Sequence, residues 1–164
     1  MSNLLTSAWL KDPGHFLALG GGSGLAPRAP GTFGSMVGVG VYALMAALPL
    51  PLYLVLTALM FALGIPLCGR TARALGVHDH PAIVWDEVAA MPVALLSAGG
   101  DWRWMLVGFA LFRLFDIWKP WPIRWADRSV HGGLGIMLDD LGAALLAAAA
   151  LVSCQYFAYF QALN

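Results

Sequence analysis

Residues 29–69, APGTFGSMVGVGVYALMAALPLPLYLVLTALMFALGIPLCG, contain no Asp, Glu, Lys or Arg. Pro49-Leu50-Pro51 divides the run, because proline removes a backbone donor and ends the helix before it. Two apolar helices are therefore expected, about 34–48 and 52–69, closed into a tight hairpin. Working outward, further uncharged stretches at 88–100, 104–112 and 141–164 predict helices over about 83–97, 104–118 and 141–160. Gly99-Gly100-Asp101-Trp102-Arg103 reads as the turn between the third and the fourth. Three polar blocks separate these stretches: Lys11–Arg28, Arg70–Glu87 and Arg113–Asp140. They hold eight of the nine basic and eight of the nine acidic residues, leaving Asp101 and Arg103.

A soluble domain does not distribute charge in this way. Charged residues make up 11% of the chain and hydrophobic ones 60%, against roughly 25% charged in ordinary globular proteins, and the mean hydropathy is +0.74. The expected class is an all-α, compact multihelical membrane protein with about four to five membrane-inserted helices and a site on the cytoplasmic face. Residues 1–164 form one domain, since no linker or repeat divides them. A net charge of zero excludes the basic stripe of a nucleic-acid partner, and the partner expected is the bilayer. The start of the chain shows no removable signal peptide. Cys68 and Cys154 both read as buried small hydrophobes.

Five crossings with the N-terminus inside put Lys11, Arg28, Arg70, Arg73, Arg113, Lys119, Arg124 and Arg128 in the cytoplasm and Arg103 outside, as the positive-inside bias requires. Trp118, Trp121 and Trp125 then fall at the inner interface, and Trp102, Trp104, Tyr156, Tyr159 and Phe160 at the outer one. Helices of about 14 to 18 residues rise only about 21–27 Å, short of a hydrocarbon core of roughly 30 Å. Some are therefore expected to be re-entrant or half inserted.

The second block, Gly76-Val77-His78-Asp79-His80-Pro81-Ala82-Ile83-Val84-Trp85-Asp86-Glu87, brings three carboxylates to the place where a helix enters the membrane. A charged side chain within an apolar helix costs about 2.5–3.5 kcal/mol on insertion scales, which marks it as functional. Asp116, Asp127, Asp139 and Asp140 follow in the third block. Two carboxylates 5 Å apart oppose each other by about 3 kcal/mol at an effective dielectric near 20, so converging acids need a positive partner. Hard oxygen donors without a Cys/His set favour Mg²⁺, with zinc on His78 and His80 the weaker choice.

Each candidate also has a plainer role. Arg113 and Lys119 stand three residues either side of Asp116, where they either pair with it or clamp a phosphoryl group. Asp139 and Asp140 are either metal ligands or the N-cap and first-turn acid of a helix opening at 141. Gly20-Gly21-Gly22-Ser23-Gly24 is either an anion-binding nest or a glycine-rich interfacial turn, and it lacks the ending of a P-loop. Gly34 and Gly38 suit close helix packing. Gly132-Gly133-Leu134-Gly135 reads as a tight turn.

Three segments together resemble the phosphatidylglycerophosphatase A family of bacterial inner-membrane lipid phosphatases. They are Gly22-Ser23-Gly24-Leu25 with Ala29-Pro30-Gly31-Thr32, then Ile83-Val84-Trp85-Asp86-Glu87, then Phe112-Arg113-Leu114-Phe115-Asp116-Ile117-Trp118-Lys119-Pro120-Trp121-Pro122-Ile123 continuing through Asp127-Arg128 to Gly132-Gly133-Leu134-Gly135-Ile136-Met137-Leu138-Asp139-Asp140. The resemblance implies Mg²⁺-dependent removal of the terminal phosphate of phosphatidylglycerophosphate, giving phosphatidylglycerol, by a multi-pass protein acting at the cytoplasmic face. It also implies a functional set of Asp79, Asp86, Glu87, Asp116, Lys119, Asp127, Asp139 and Asp140. With it, Asp86, Glu87, Asp139 and Asp140 are expected to hold the metal. Asp79, Arg113, Asp116, Lys119 and Asp127 are expected in catalysis, and Gly22, Ser23, Gly24, Arg28 and Arg128 at the substrate. Ala90 and Ala144 depart from the family by replacing its usual glycines. The alternatives are another metal-dependent lipid enzyme and a non-enzymatic cation channel or carrier; a homo-oligomer is left open.

Overall fold

The computed structural model describes residues 7–77, 80–121 and 123–162, the side chains of 7, 8 and 126–128 excepted. Every regular element among them is helical: α1 (Pro13–Ala18), α2 (Pro30–Met45), α3 (Leu50–Leu75), α4 (Trp85–Ala94), α5 (Trp102–Trp118), α6 (Ile123–Ser129) and α7 (Gly132–Ala162). Short 3₁₀ turns at Ser7–Lys11 and Gly20–Leu25 complete the chain's N-terminal part.

Successive long helices alternate in direction, and hydrogen bonds at the two ends of the bundle fix this. At one end Gly100 N–H donates to Tyr42 Oη at 3.1 Å, Tyr53 Oη to the Pro92 carbonyl at 2.5 Å, and Gln155 Nε2 to the Ser97 carbonyl at 2.8 Å. These join the close of α2, the start of α3, the close of α4 and the far half of α7. At the other end the Arg113 guanidinium reaches Ser35 and Glu87, and Lys119 reaches Asp139. The three polar blocks thus gather at one end.

Among the described residues two helices have the length and apolarity to cross a membrane, α3 and α7. In the most apolar stretch of α3 only 17% of residues are buried, against 50% in that of α7; α3 is an outer wall and α7 a central pillar. The third apolar segment forms a ten-residue helix, α4, whose Val88, Ala89, Ala90, Met91, Pro92 and Ala94 are all buried. It rises only about 15 Å and is enclosed by α2, α3, α5 and α7. Its lack of charge reflects a protein interior.

The helix ends differ from expectation for local reasons. Pro30 at the first turn, entered from Ala29 at φ 48°, starts α2 early. α3 runs past Gly69 to a left-handed cap at Gly76, where Gly76 N–H bonds Arg73 O and Val77 N–H bonds Ala72 O. α7 begins at Gly132, so Gly133 and Gly135 lie in its first turn. A Cβ on Gly133 would overlap the Ile65 carbonyl and lie 2.8 Å from Gly69 N, so the glycine brings α7 against α3. Gly34 and Gly38 do the same between α2 and α4, where added Cβ atoms would meet Val84 Cβ at 2.6 Å and Met91 Cγ at 2.7 Å. Ala90 and Ala144 are fully buried in one core cluster. Cys68 is buried as expected, whereas Cys154 is exposed, because it lies on the outward side of α7.

The N-terminal part docks on α3. His15 Nδ1 meets Thr71 Oγ1 at 2.9 Å, and Arg70 pairs with Asp12 at 2.7 Å. The His15 amide first, with Arg70 and the Gly14 amide, holds the Asp12 carboxyl below its ordinary range against partial desolvation.

Candidate active site

Val84 N–H donates to the Ala18 carbonyl at 3.0 Å, anchoring the start of α4. Asp86 and Glu87 fall in its first turn, where the partial positive charge of a helix N-terminus favours acids. Asp140 comes from the opposite side, about two turns inside α7. Asp86, Glu87 and Asp140 each offer one carboxylate oxygen, and these atoms all lie within 4.8 Å of one another. Asp86 is 7% exposed and Asp140 3%. Glu87 Oε2 and Asp140 Oδ2 are buried without a hydrogen-bond partner among the described residues, which native structures rarely tolerate unless the site has another use. Asp116 of α5 sits against Asp140 as a fourth acid.

Arg113 is the cation of this group. Its Nη1 lies 2.7 Å from Asp116 Oδ2, 3.8 Å from Glu87 Oε1 and 3.3 Å from Ser35 Oγ, while Nε has no partner among the described residues. Counted as ionised, four carboxylates against one guanidinium leave a formal −3. Spacings of this size cost on the order of 3 kcal/mol per unscreened pair, so the arrangement calls for a further positive charge. Oxygen-only donors with two unsatisfied atoms fit a hard divalent cation.

Lys119 caps α5 at φ 44° and its ammonium pairs with Asp139. Among the described residues, the non-glycine positions with positive φ are Ala29 and Lys119, one at the head of α2 and one beside the acids. Left-handed backbone in such residues is costly and clusters at functional sites.

The expected residues divide accordingly. Asp86, Glu87 and Asp140 converge, with Asp116 and Arg113 adjoining them. Asp139 stands next to this group in the ion pair with Lys119, because neighbouring residues point about 100° apart on a helix. Neither Asp139 nor Asp140 caps a helix; both lie inside α7 and are buried. The glycine run forms a turn of its own: Gly22 N–H and Gly24 N–H both donate to Leu19 O, and Ser23 Oγ to Gly20 O. Gly24 packs so closely on the Ala82 carbonyl that a Cβ would overlap it. Arg28 is exposed with no ion pair among the described residues. His80 accepts from Ala82 N–H at 3.1 Å in a local turn. His78, Asp79 and the side chains of Asp127 and Arg128 lie outside the described residues.

Gly31 was read only as part of a motif and Ser35 was not anticipated. A Cβ on Gly31 would overlap Glu87 Oε1 and come within 3.1 Å of Arg113 Nη1. Ser35 is fully buried, donates to the Gly31 carbonyl at 2.8 Å and accepts from Arg113. Their spacing of four residues beside the polar loop was the available signal.

Fold and site define an all-helical protein of membrane type, with a buried acidic centre suited to a divalent cation and a guanidinium suited to an anion. The chain belongs to the phosphatidylglycerophosphatase A family, whose sequence profile matches residues 16–155. It is 48% identical over 143 residues to the phosphatidylglycerophosphatase A of Escherichia coli (strain K12), covering 87% of this chain and 83% of that one. Identity to the Haemophilus influenzae phosphatidylglycerophosphatase A is 45% over 159 residues, covering 95% and 97% of the two chains. No solved structure matches the chain.

Proposed function

We propose that this chain hydrolyses the terminal phosphate monoester of phosphatidylglycerophosphate to phosphatidylglycerol, at the cytoplasmic face of the bacterial inner membrane, with four to five membrane-inserted segments and Mg²⁺ as cofactor. The observation that carries this reading is the convergence of Asp86, Glu87 and Asp140 from two helices with Arg113 beside them. Family membership supports the substrate, and the two long apolar helices support the membrane.

Phosphate monoesters hydrolyse among the slowest of biological reactions, and catalysis of phosphoryl transfer is mostly positioning and charge stabilisation. Asp86, Glu87 and Asp140 hold the cation. When bound, that ion supplies Lewis-acid charge neutralisation and makes a nearby water more acidic. Arg113, tethered to Ser35 and Asp116, presents its guanidinium to the phosphoryl oxygens. Lys119 adds a second positive charge and Asp139 orients it. Asp116 orients the attacking water, whose oxygen forms the new P–O bond as the P–O bond to the glyceryl oxygen breaks, the proton lost by the water being the one gained by the glyceryl oxygen. Arg28 binds the headgroup, and the Gly22-Ser23-Gly24 turn shapes the loop that carries it. Asp79, Asp127 and Arg128 keep the roles that the family resemblance implies.

Purified protein with phosphatidylglycerophosphate in mixed micelles should release phosphate with Mg²⁺ and stop on chelation. Cation flux through liposomes with no phosphate release overturns the reading.

A further inference from the structure

We propose that the groove between α2 and α5 seats an acyl chain of the lipid whose phosphate is cut; this rests on the function proposed above. The groove has a volume of about 280 Å³ and is lined by Met36, Val39, Trp102, Met105, Leu106 and Phe109. Met36, Trp102 and Leu106 form open lips, at 54%, 64% and 59% exposure, while Val39, Met105 and Phe109 are half-buried walls packed on the core. It arises because α2 packs on α4 and α5 on α7, and the two meet each other only sparingly.

Register ties the groove to the site. Residues three and four apart share a helix face, so on α5 the row Trp102, Leu106, Phe109 continues to Arg113 and Asp116. On α2 the row Gly31, Ser35, Val39 runs the same way. The two rows meet where Arg113 Nη1 reaches Ser35 Oγ at 3.3 Å, so the helix faces that wall the slot lead toward the guanidinium. From Arg113 to Trp102 the helix rises about 16 Å. A bound molecule is thus offered a hydrocarbon-lined trough with an anion-binding group at one end, the outline of a phosphate-bearing lipid.

Bulk bilayer lipid can wet any apolar surface, but this trough shares its register with the cation of the site. An anionic headgroup at the Arg113 end, which a second copy's apolar helix does not offer, commits the groove to the chain of a phosphate-bearing lipid. Binding energy gathered there, remote from the reacting phosphorus, raises kcat when used to position the ester.

The test compares dihexanoyl and dipalmitoyl phosphatidylglycerophosphate at matched mole fraction in mixed micelles, reading the ratio of kcat/KM for the long over the short ester. The wild-type ratio should be at least about tenfold, and Val39→Trp, which fills the groove, should lower it at least about fivefold. Leu106→Trp on the lip gives the same readout where Val39→Trp does not fold. Leu59→Trp, of equal bulk on the exposed side of α3, should keep the wild-type ratio. An unchanged ratio in both groove variants overturns the proposal, as does a change of oligomeric state with the ratio intact.

A second arm does not depend on turnover. Phosphatidic acid carrying a diazirine on its acyl chain should label the peptides bearing 36–39 and 102–109, and unlabelled phosphatidic acid should compete while phosphatidylcholine does not. Equal competition by both lipids assigns the groove to bulk bilayer and sinks the proposal. Should the wild type release no phosphate while the labelling pattern holds, the catalytic reading falls and the groove stands.

Discussion

The two ends of the bundle both set polar groups into apolar surroundings, with opposite outcomes. At the end built from the α2–α3 connection and residues 95–101, Gly100 N–H meets Tyr42, Tyr53 meets the Pro92 carbonyl, Gln155 meets the Ser97 carbonyl and Asp101 caps α5. Ser97 Oγ is the exception. At the other end acids from α4, α5 and α7 crowd together, leaving Glu87 Oε2, Asp140 Oδ2 and Arg113 Nε buried without partners among the described residues. Satisfied polar groups fix helix ends and add stability. Buried unpaired charge subtracts from it, and its presence marks the end kept for a ligand. Substitutions at the two ends should therefore move activity and stability in different directions.

The largest effect is expected at Asp140. Replacing it by Asn removes one cation-binding oxygen and one charge from the acidic group, so phosphate release should fall on the order of 10³-fold. The same change relieves repulsion worth about 1–3 kcal/mol, so without Mg²⁺ the variant should melt no lower than the wild type. It should also lose the rise in Tm that Mg²⁺ gives the wild type by binding the folded state. A Mg²⁺-independent Tm in both proteins, or a variant that melts well below the metal-free wild type, erases the contrast between the ends.

Gly31→Ala comes next, because it acts on the site only through the methyl group it adds. The new methyl overlaps Glu87 Oε1 and presses on Arg113, and displacement of catalytic groups by about 1 Å costs on the order of 10²-fold in rate. Over-packing should take about 1–3 kcal/mol from stability as well. Full activity in Gly31→Ala shows that Glu87 and Arg113 act independently of the head of α2.

Why Gly31 was read only as part of a motif, while Asp86, Glu87 and Asp140 were named, follows from what sequence carries. Charge segregation is explicit in the order of residues, so the gathering of three polar blocks at one end and the α2–α3 hairpin were legible. Glycine is ambiguous. At 132–135 it reads as a turn, yet Gly133 lies in the first turn of α7, where only a hydrogen fits against the Ile65 carbonyl. That misreading hid the early start of α7 and with it the burial of Asp139 and Asp140 inside the helix. The absence of charge is equally ambiguous: residues 83–97 look like a crossing, and α4 within them is a ten-residue helix with four others packed around it. Adjacent acids also diverge by a rotation that pairing partners alone reveal, Asp140 facing Asp86 and Glu87, Asp139 facing Lys119.

The smallest effect expected is at Asp101, which tests the far end by the same two measurements. Its carboxylate accepts from Arg103 N–H at 2.9 Å and caps α5, and losing an N-cap to Ala costs about 1 kcal/mol. Because α5 also carries Arg113 and Asp116, loosening its distant end examines whether the site depends on the whole helix or only on its packing near Ser35 and Asp140. Arg113 is held by Ser35 and by Asp116 within the same turn, and Phe112 beside it is fully buried, so fraying at Trp102 should stop short of it. Asp101→Ala should therefore lower Tm by a few degrees with phosphate release unchanged within about twofold. A tenfold loss of activity would show that the capped end also orders the catalytic one.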